Sequence, residues 1–191
     1  AAFAGEGVVI TSQTSDGHLA LVQTYSDRNP GDFFLFDTVA KKASHVVSRR
    51  DWFDPATQAE MQPIDVTARD GMVLHGYLTK PIGAGKQALP MVVVPHGGPF
   101  GIRDVWGFDS EVQMLAKAGY AVLQLNYRGS GGYGRSYKSA GGRQWGGKMQ
   151  DDLTDATRWA IAQGIADKDR ICLFGGRYGA YAGLMGVARG P

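Results

Sequence analysis

Three short apolar segments, alternating with amphipathic ones, most constrain what this chain can fold into. They run from Met91 to Val94, from Tyr120 to Leu125 and from Ile171 to Phe174. Continuous apolar runs of this length are typical of strands buried on both faces. Such strands, when separated by helices, form a mostly parallel sheet with helices on both of its faces. The pattern therefore predicts an α/β fold with a doubly wound sheet.

Helical patterns fill the spaces around these strands. We predict helices at about Gly107–Ala118, Gln150–Gln163 and Tyr178–Ala188, because apolar or small residues recur there on one face. Gly119 and Gly164 follow the first two helices as stop signals. The sheet, its helices and the hairpin that opens it are assigned to a domain over residues 61–191.

The first 60 residues have a different pattern. Three short runs with strand-like composition are separated by turn signals, which predicts an antiparallel meander; the runs are Val8–Ile10, His18–Tyr25 and Phe33–Phe36. Residues 51–63 are interpreted as a linker, and the segments Ile64–Ala68 and Met72–Leu78 as a hairpin. A meander this short needs further sheet or another layer to be stable.

Composition excludes several classes of function. Hydrophobic residues make up 43% and charged residues 20%, and the net charge is +2. These values are typical of a soluble globular protein, and no apolar run approaches the roughly 20 residues of a membrane span. Basic residues are scattered rather than clustered, so neither nucleic acid nor a membrane surface is predicted as a partner.

The single cysteine and the first residues bear on redox state and location. Cys172 lies in an apolar run, so we predict a buried, inert thiol, with neither a disulfide nor a cysteine-rich metal site. Residues 1–7 lack the charged and apolar regions of a signal peptide. The compartment is left open between the cytoplasm and, if a signal peptide was removed, the periplasm or the exterior.

A glycine-rich pentapeptide carries the clearest chemical signal. The chain has 28 glycines, and Gly175-Gly176-Arg177-Tyr178-Gly179 stands directly between a predicted strand and a predicted helix. This is the context of the G-x-S-x-G nucleophile elbow, in which small residues let a sharp turn close. Arg177 occupies the position of the nucleophile. The glycines alone would also suit a tight turn that packs a helix on a strand.

A second glycine motif follows the first buried strand. In His96-Gly97-Gly98-Pro99 the flexible backbone can direct N–H groups at a developing negative oxygen, as an oxyanion loop does. In that scheme Gly98 donates one N–H group and Tyr178 the other. We expect His96 to hold the loop by hydrogen bonds rather than to act as a catalytic base. His18, His45 and His75 have no evident partners and are assigned no role.

A third motif supports a rival interpretation. Residues 129–134 satisfy G-x-G-x-x-G after a strand, which is a feature of dinucleotide sites. However, residues 135–145 lack a clean helical stripe. The acidic residue expected about 20 positions later is replaced by Asp151 and Asp152 at the start of a helix. The match is weak, and no Walker loop or metal-ligand spacing is found.

The motifs together resemble the prolyl oligopeptidase family, especially its acylaminoacyl-peptidase-like members. The matching segments are His96 to Pro99, Asn126 to Ser130 with Tyr133-Gly134, Asp167 to Arg170, and Gly175 to Gly179. The resemblance implies the N-terminal half of an α/β-hydrolase peptidase domain over residues 61–191, preceded by the end of a β-propeller. It also implies a serine peptidase that cleaves short or acylated peptides through an acyl-enzyme and needs neither a metal nor an organic cofactor.

Two departures from the family pattern matter. Arg177 stands where the family has serine, and Ala180 stands where it usually has glycine. An arginine offers no nucleophilic lone pair, so we expect the chain to be truncated and inactive, without the triad aspartate and histidine. A non-catalytic module that binds peptide carboxylates and a carboxylesterase are the alternatives. The strand at 171–174 would leave an uncovered sheet edge, which predicts homo-oligomers.

Overall fold

The N-terminal part of the chain forms a four-stranded antiparallel sheet. The structure is a computed structural model that describes residues 3–189. Its first strands pair in sequence order: β1 (Gly7–Gln13), β2 (Leu19–Tyr25), β3 (Asp32–Asp37) and β4 (Lys42–Ser48). The predicted meander is confirmed, but β4 was not predicted. Most of its side chains are exposed, so it lacks the apolar alternation that marks a half-buried strand.

The rest of the chain alternates strands and helices around a second sheet. A 3₁₀ turn (Pro55–Thr57) precedes β5 (Met61–Thr67), β6 (Val73–Thr79), β7 (Leu89–Val93), α1 (Ser110–Lys117), β8 (Ala121–Asn126), α2 (Arg135–Ser139), α3 (Lys148–Ala162), β9 (Ala166–Leu173) and α4 (Tyr178–Arg189). The three predicted helices correspond to α1, α3 and α4, and α2 is an additional short one.

The second sheet is mixed, with strand order β5-β6-β8-β7-β9. Strand β7 pairs in parallel with both β8 and β9, whereas β6 is antiparallel to β5 and β8. Four of the five strands therefore run in one direction. The antiparallel strand arises from the predicted hairpin, whose turn closes where the Gly71 N–H donates to Ala68 O (2.8 Å). The α/β-hydrolase prediction is confirmed.

The main core lies on the sheet face covered by α3 and α4. It joins side chains of the strands, including Met91, Val93 and Leu123, with Leu153 and Ala182 of the helices. Helix α1 contacts β6 and β8, and its buried Val112 and Ala116 lie outside this cluster. The sheet is therefore covered by helices on both faces, as the sequence predicts.

The two sheets are joined through a buried glutamine on α1. The Gln113 side chain accepts a hydrogen bond from Ala59 N (2.8 Å) and donates to Ala59 O (2.8 Å) and Asp27 O (3.0 Å). The Asp27 carboxylate in turn accepts from Met61 N (2.7 Å). The segment that precedes β5 is thus tied to both the first sheet and the α1 face of the second.

Strand β9 lies at the edge of the second sheet, and its cysteine corrects a prediction. Cys172 is exposed rather than buried. It alternates with Ile171 and Leu173, which pack against the main core, so it points to the opposite face. On that face α1 packs mainly on β6 and β8, away from the edge strand. The uncovered edge is present in the structure, whereas association through it stays a prediction.

Candidate active site

The predicted elbow is a sharp bend between β9 and α4. Strand β9 ends at Leu173 and α4 begins at Tyr178, which leaves four residues for the change of direction. Arg177 has a φ of +55°, in the left-handed region that side chains rarely adopt. A strained residue at the tip of such a bend is the backbone feature that defines the nucleophile elbow.

Two of the elbow glycines are required by close backbone approach. A Cβ at Gly175 would lie 3.0 Å from Pro95 O and 3.1 Å from the Gly179 backbone. A Cβ at Gly179 would fall far inside van der Waals contact with the same oxygen. Gly176 has open space around it, so its place in the motif has no steric cause. The residues two before and two after Arg177 are therefore small because the turn closes against Pro95.

The Arg177 side chain extends from the bend along the oxyanion loop. Its Cβ and Cδ atoms each lie 3.5 Å from the point where a Gly97 side chain would begin. The residue is exposed, and its guanidinium forms no ion pair with any residue in the range 3–189. The structure thus brings together the two motifs that the sequence placed at the same site. Ala180, the second departure from the family, is exposed on α4.

The two predicted oxyanion donors lie on either side of this bend. Gly98 is exposed with a φ of +125°, and a cis peptide joins it to the buried Pro99. Tyr178 is buried at the first position of α4, with its ring edge-on to Trp145 (5.0 Å). Within residues 3–189, neither the Gly98 nor the Tyr178 amide donates a main-chain hydrogen bond outside a regular element. Both therefore retain the donor that an oxyanion would need.

His96 holds the oxyanion loop from beneath. Its ring is buried and stacked on Tyr127 at 4.4 Å, and the Tyr127 hydroxyl donates to His96 O (2.7 Å). The ring nitrogens Nδ1 and Nε2 lie 2.7 Å from Gly97 O and 2.8 Å from Ser130 Oγ. Burial lowers the pKa of His96, which favours the neutral ring. These contacts support the interpretation of His96 as a loop anchor.

The far end of the same loop is anchored by Asn126. Its side chain accepts from Asp104 N (2.7 Å) and donates to Asp104 O (3.0 Å) and to the Tyr133 hydroxyl oxygen (2.9 Å). Burial and the nearby Asp109 raise the pKa of Asp104 to about 7. Asn126 was known from the sequence only as part of a motif. Its position as the last residue of a central strand, beside a glycine loop, is the signal that could have marked it.

Arg128 connects three elements beneath the site. It is buried and binds Asp152 of α3 through its side chain (2.7 Å) and its main-chain N–H (2.9 Å), and Asp70 of the hairpin turn (2.8 Å). Hydrogen bonds from Arg128 and Lys148 hold the pKa of Asp70 well below its ordinary range. Asp152, which the sequence places in the first turn of a helix, is fully buried in this pair.

The loop at residues 129–134 does not form a dinucleotide site. A Cβ at Gly131 would lie 2.5 Å from Gly101 O, and one at Gly129 would lie 3.1 Å from the Phe100 ring. The glycines therefore allow this loop to pack on the segment that follows Pro99. The next helix, α2, has only five residues. At Gly131, where the motif would bring the backbone close to a pyrophosphate, the neighbour is instead the backbone of Gly101.

The other histidines have partners that the sequence did not reveal. His75 Nδ1 contacts Asp65 (2.6 Å), His18 contacts Asp37 (3.3 Å), and His45 contacts Asp32 (3.5 Å). Each pair lies across neighbouring strands, so only strand register brings the partners together. None of these residues contacts the elbow. The described residues 3–189 also contain no cluster of three potential metal ligands, and none of their helices is long and apolar enough to cross a membrane.

Comparison with known proteins identifies the same family. Residues 106–191 match the prolyl oligopeptidase family. The chain is 36% identical to dipeptidyl aminopeptidase BIII of Pseudoxanthomonas mexicana over 96% of its own length and 28% of that protein. The chain therefore spans less than a third of the length of this relative.

Solved structures agree with the sequence match. A puromycin-hydrolysing peptidase of Mycobacterium tuberculosis superimposes with a TM-score of 0.77 at 27% identity, covering 91% of this chain and 28% of that one. The acylaminoacyl peptidase of Pyrococcus horikoshii superimposes with a TM-score of 0.74 at 22% identity, covering 95% of this chain and 29% of that one, which shows the shared fold. By sequence and by fold, the chain is similar to members of the prolyl oligopeptidase family, whose family model matches its residues 106–191.

Proposed function

We propose that this chain is the elbow-bearing part of a serine peptidase that removes residues from the ends of short or blocked peptides. We further propose that Arg177 makes the present form inactive. The observation that carries the proposal is the position of Arg177, with a φ of +55° at the bend and its side chain against Gly97. The relatives named as a dipeptidyl aminopeptidase and an acylaminoacyl peptidase support this class of substrate.

In an intact enzyme of this class, a serine at position 177 would attack the peptide carbonyl. The carbonyl oxygen would then receive the N–H groups of Gly98 and Tyr178, and this stabilisation is among the largest contributions to acyl transfer. Stabilisation of the oxyanion by these two N–H groups requires neither a metal nor an organic cofactor. A base and an aspartate that orients it would be supplied by other segments, since no histidine or aspartate side chain within residues 3–189 forms a hydrogen bond or ion pair with the elbow.

Arginine at position 177 prevents formation of an acyl-enzyme in two ways. Its guanidinium remains protonated in proteins and has no lone pair with which to attack a carbonyl. Its side chain also extends along Gly97, where the substrate carbonyl would have to approach Gly98. No acyl-enzyme can therefore form through residue 177.

The organisation of the intact protein is part of the same proposal. The chain covers 28% of its dipeptidyl aminopeptidase relative. We assign residues 1–60 to the end of a β-propeller and a linker, and residues 61–191 to the N-terminal half of the hydrolase domain. The four-stranded meander supports the first assignment, because a propeller blade is a sheet of this kind.

The test is to express the longer parent protein with Arg177 and as the Arg177→Ser variant. We expect the variant to cleave aminoacyl anilides and the arginine form to cleave none. Fast cleavage of p-nitrophenyl esters without anilide cleavage would favour the carboxylesterase alternative. The Arg177→Ser variant of the present chain alone should show no turnover, because no catalytic base lies beside the elbow.

A non-catalytic function is the second candidate, and the exposure of Arg177 favours it. The side chain forms no ion pair within the described residues 3–189, and it lies near two free amides. A peptide carboxylate could bind the guanidinium and the N–H groups of Gly98 and Tyr178 together. Binding without turnover, lost in Arg177→Ala but kept in Arg143→Ala, would support it. Arg143 is a suitable control because it is also exposed, with a φ of +58°.

A further inference from the structure

The peptide unit between Gly97 and Gly98 is held by a hydrogen bond to its carbonyl oxygen. Gly97 O lies 2.7 Å from the Nδ1 atom of His96. The same planar unit carries the Gly98 N–H, and in a trans peptide the N–H points away from the carbonyl. A hydrogen bond that fixes the direction of Gly97 O therefore also fixes the direction of the Gly98 N–H. The preceding carbonyl, His96 O, is held by the Tyr127 hydroxyl at 2.7 Å.

The protons of this network can be counted. A carbonyl oxygen only accepts, so Nδ1 of His96 must carry a hydrogen to bind Gly97 O. In the neutral ring, Nε2 is then a bare lone pair, and the donor nearest to it is the Ser130 hydroxyl at 2.8 Å. In the structure the Ser130 hydroxyl donates to Tyr127 O (2.6 Å), so it can donate to Nε2 of a neutral ring only by turning away from that carbonyl. If the ring gains a proton, the serine hydroxyl can stay on Tyr127 O and accept from Nε2.

Ser130 is suited to this task by its position. It is fully buried in the turn that follows β8, where the Ser130 N–H donates to Tyr127 O (3.1 Å). A hydroxyl can both donate and accept, so it holds the ring in either protonation state. Alanine could do neither, and the loss would leave a buried ring nitrogen without a partner.

We infer that Ser130 is a positioning residue that, through the His96 ring, aims the Gly98 N–H at the oxyanion. The catalytic part of this inference rests on the proposed function, in which Gly98 is an oxyanion donor. The relay runs from the Ser130 hydroxyl to Nε2 of His96 and from Nδ1 to Gly97 O. It connects the turn after β8 with the loop after β7, two neighbouring parallel strands.

The relay can be tested in the present chain by nitrogen NMR of the histidine rings. In the unaltered chain we expect Nδ1 of His96 to be protonated and Nε2 to accept a hydrogen bond. In Ser130→Ala, the Nε2 resonance should move toward that of a lone pair without a donor, and the Gly98 amide resonance should shift or broaden. Ser139→Ala is the matched control, because that exposed hydroxyl also donates to a main-chain oxygen (2.7 Å). The ring of His75 serves as an internal reference.

A His96 ring protonated at Nε2 alone, or His96 and Gly98 signals unchanged in Ser130→Ala, would overturn the inference. The first of these results needs no variant, so it is decisive even if Ser130→Ala folds poorly. In the parent protein with Arg177→Ser, adding Ser130→Ala should lower kcat about tenfold with little change in KM, because complete loss of an oxyanion donor costs about 10²–10³. An inactive Arg177→Ser parent would contradict the proposed function, while the nitrogen spectra would still decide the role of Ser130.

Discussion

Asp104, which follows the oxyanion loop in the segment between β7 and α1, has a pKa far from its ordinary solution value. Its main chain is held by Asn126, whereas its Oδ2 atom is buried without a hydrogen-bond partner among residues 3–189. Burial, followed by the charge of Asp109, raises the pKa of Asp104 to about 7. Ionisation of this carboxyl in the folded protein is therefore unfavourable. The hydrogen bonds from Asn126 hold the main chain of Asp104 in place all the same.

The raised pKa of Asp104 determines how the free energy of unfolding changes with pH. The unfolded carboxyl has a pKa near 3.9, so between pH 4 and 7 the folded state binds more protons. The free energy of unfolding should therefore fall as the pH rises through this window. We expect Asp104→Asn to raise the free energy of unfolding at pH 8 by about 1–4 kcal/mol and to change it little at pH 4.

Urea denaturation at the two pH values would measure the effect. Asp51→Asn is the control, because Asp51 is exposed and should give the same small change at both pH values. A stabilisation by Asp104→Asn that is equal at pH 4 and pH 8 would contradict the prediction.

Among the secondary-structure elements, the elbow depends on the close approach of helix α4 to the end of strand β7. Pro95 O lies against the backbone of both Gly175 and Gly179, so the first turn of the helix and the segment after β7 are in direct contact. A side chain at position 179 would force them apart. At position 176 the same addition meets open space.

We therefore predict different outcomes for two alanine substitutions in one motif. Gly179→Ala should lower the free energy of unfolding by about 2–3 kcal/mol, because a Cβ there overlaps Pro95 O and the backbone must shift. Gly176→Ala should change it by no more than about 0.5 kcal/mol. Thermal unfolding of the two variants would check this, and equal destabilisation would show that the bend does not close on Pro95.

The molecule as a whole depends on polar contacts that connect its two sheets through Gln113 of α1 and Asp27. Gln113 forms three hydrogen bonds, two with Ala59 in the segment before β5 and one with Asp27 O after β2. Its side chain is buried, so its removal would leave main-chain groups without partners. The connection between the sheets should therefore be sensitive to this residue.

Gln113→Ala should lower the free energy of unfolding by about 2–3 kcal/mol, since each buried group left unsatisfied costs about 1–3 kcal/mol. It should also speed tryptic cleavage after Arg50, in the exposed segment that follows β4. Gln163→Ala, at an exposed helix end, should have neither effect. Unchanged cleavage in Gln113→Ala would indicate that the sheets are joined mainly by other contacts.

The sequence predicts the parts of this molecule that depend on local chemistry. Apolar runs mark β7, β8 and β9, and the spacing of glycines around Arg177 indicates the elbow, because each depends on residues close together in the chain. Partners distant in sequence were missed. Asp152 pairs with Arg128 because α3 packs on the sheet, and His75 pairs with Asp65 because strand register places them opposite each other. The exposure of Cys172 likewise depends on which helix covers which strand.

The placement of residue 177 against the oxyanion loop can be tested directly by a disulfide between positions 97 and 177. The Cβ of residue 177 lies 3.5 Å from the Cβ position of residue 97, within the span of about 3.5–4.5 Å that disulfides require. With the exposed Cys172 replaced by serine, we predict that Gly97→Cys with Arg177→Cys oxidises to an intramolecular disulfide, whereas Gly97→Cys with Gly176→Cys does not. Free thiols at 97 and 177 after oxidation, detected by alkylation and mass spectrometry, would contradict the placement of the nucleophile position against the oxyanion loop.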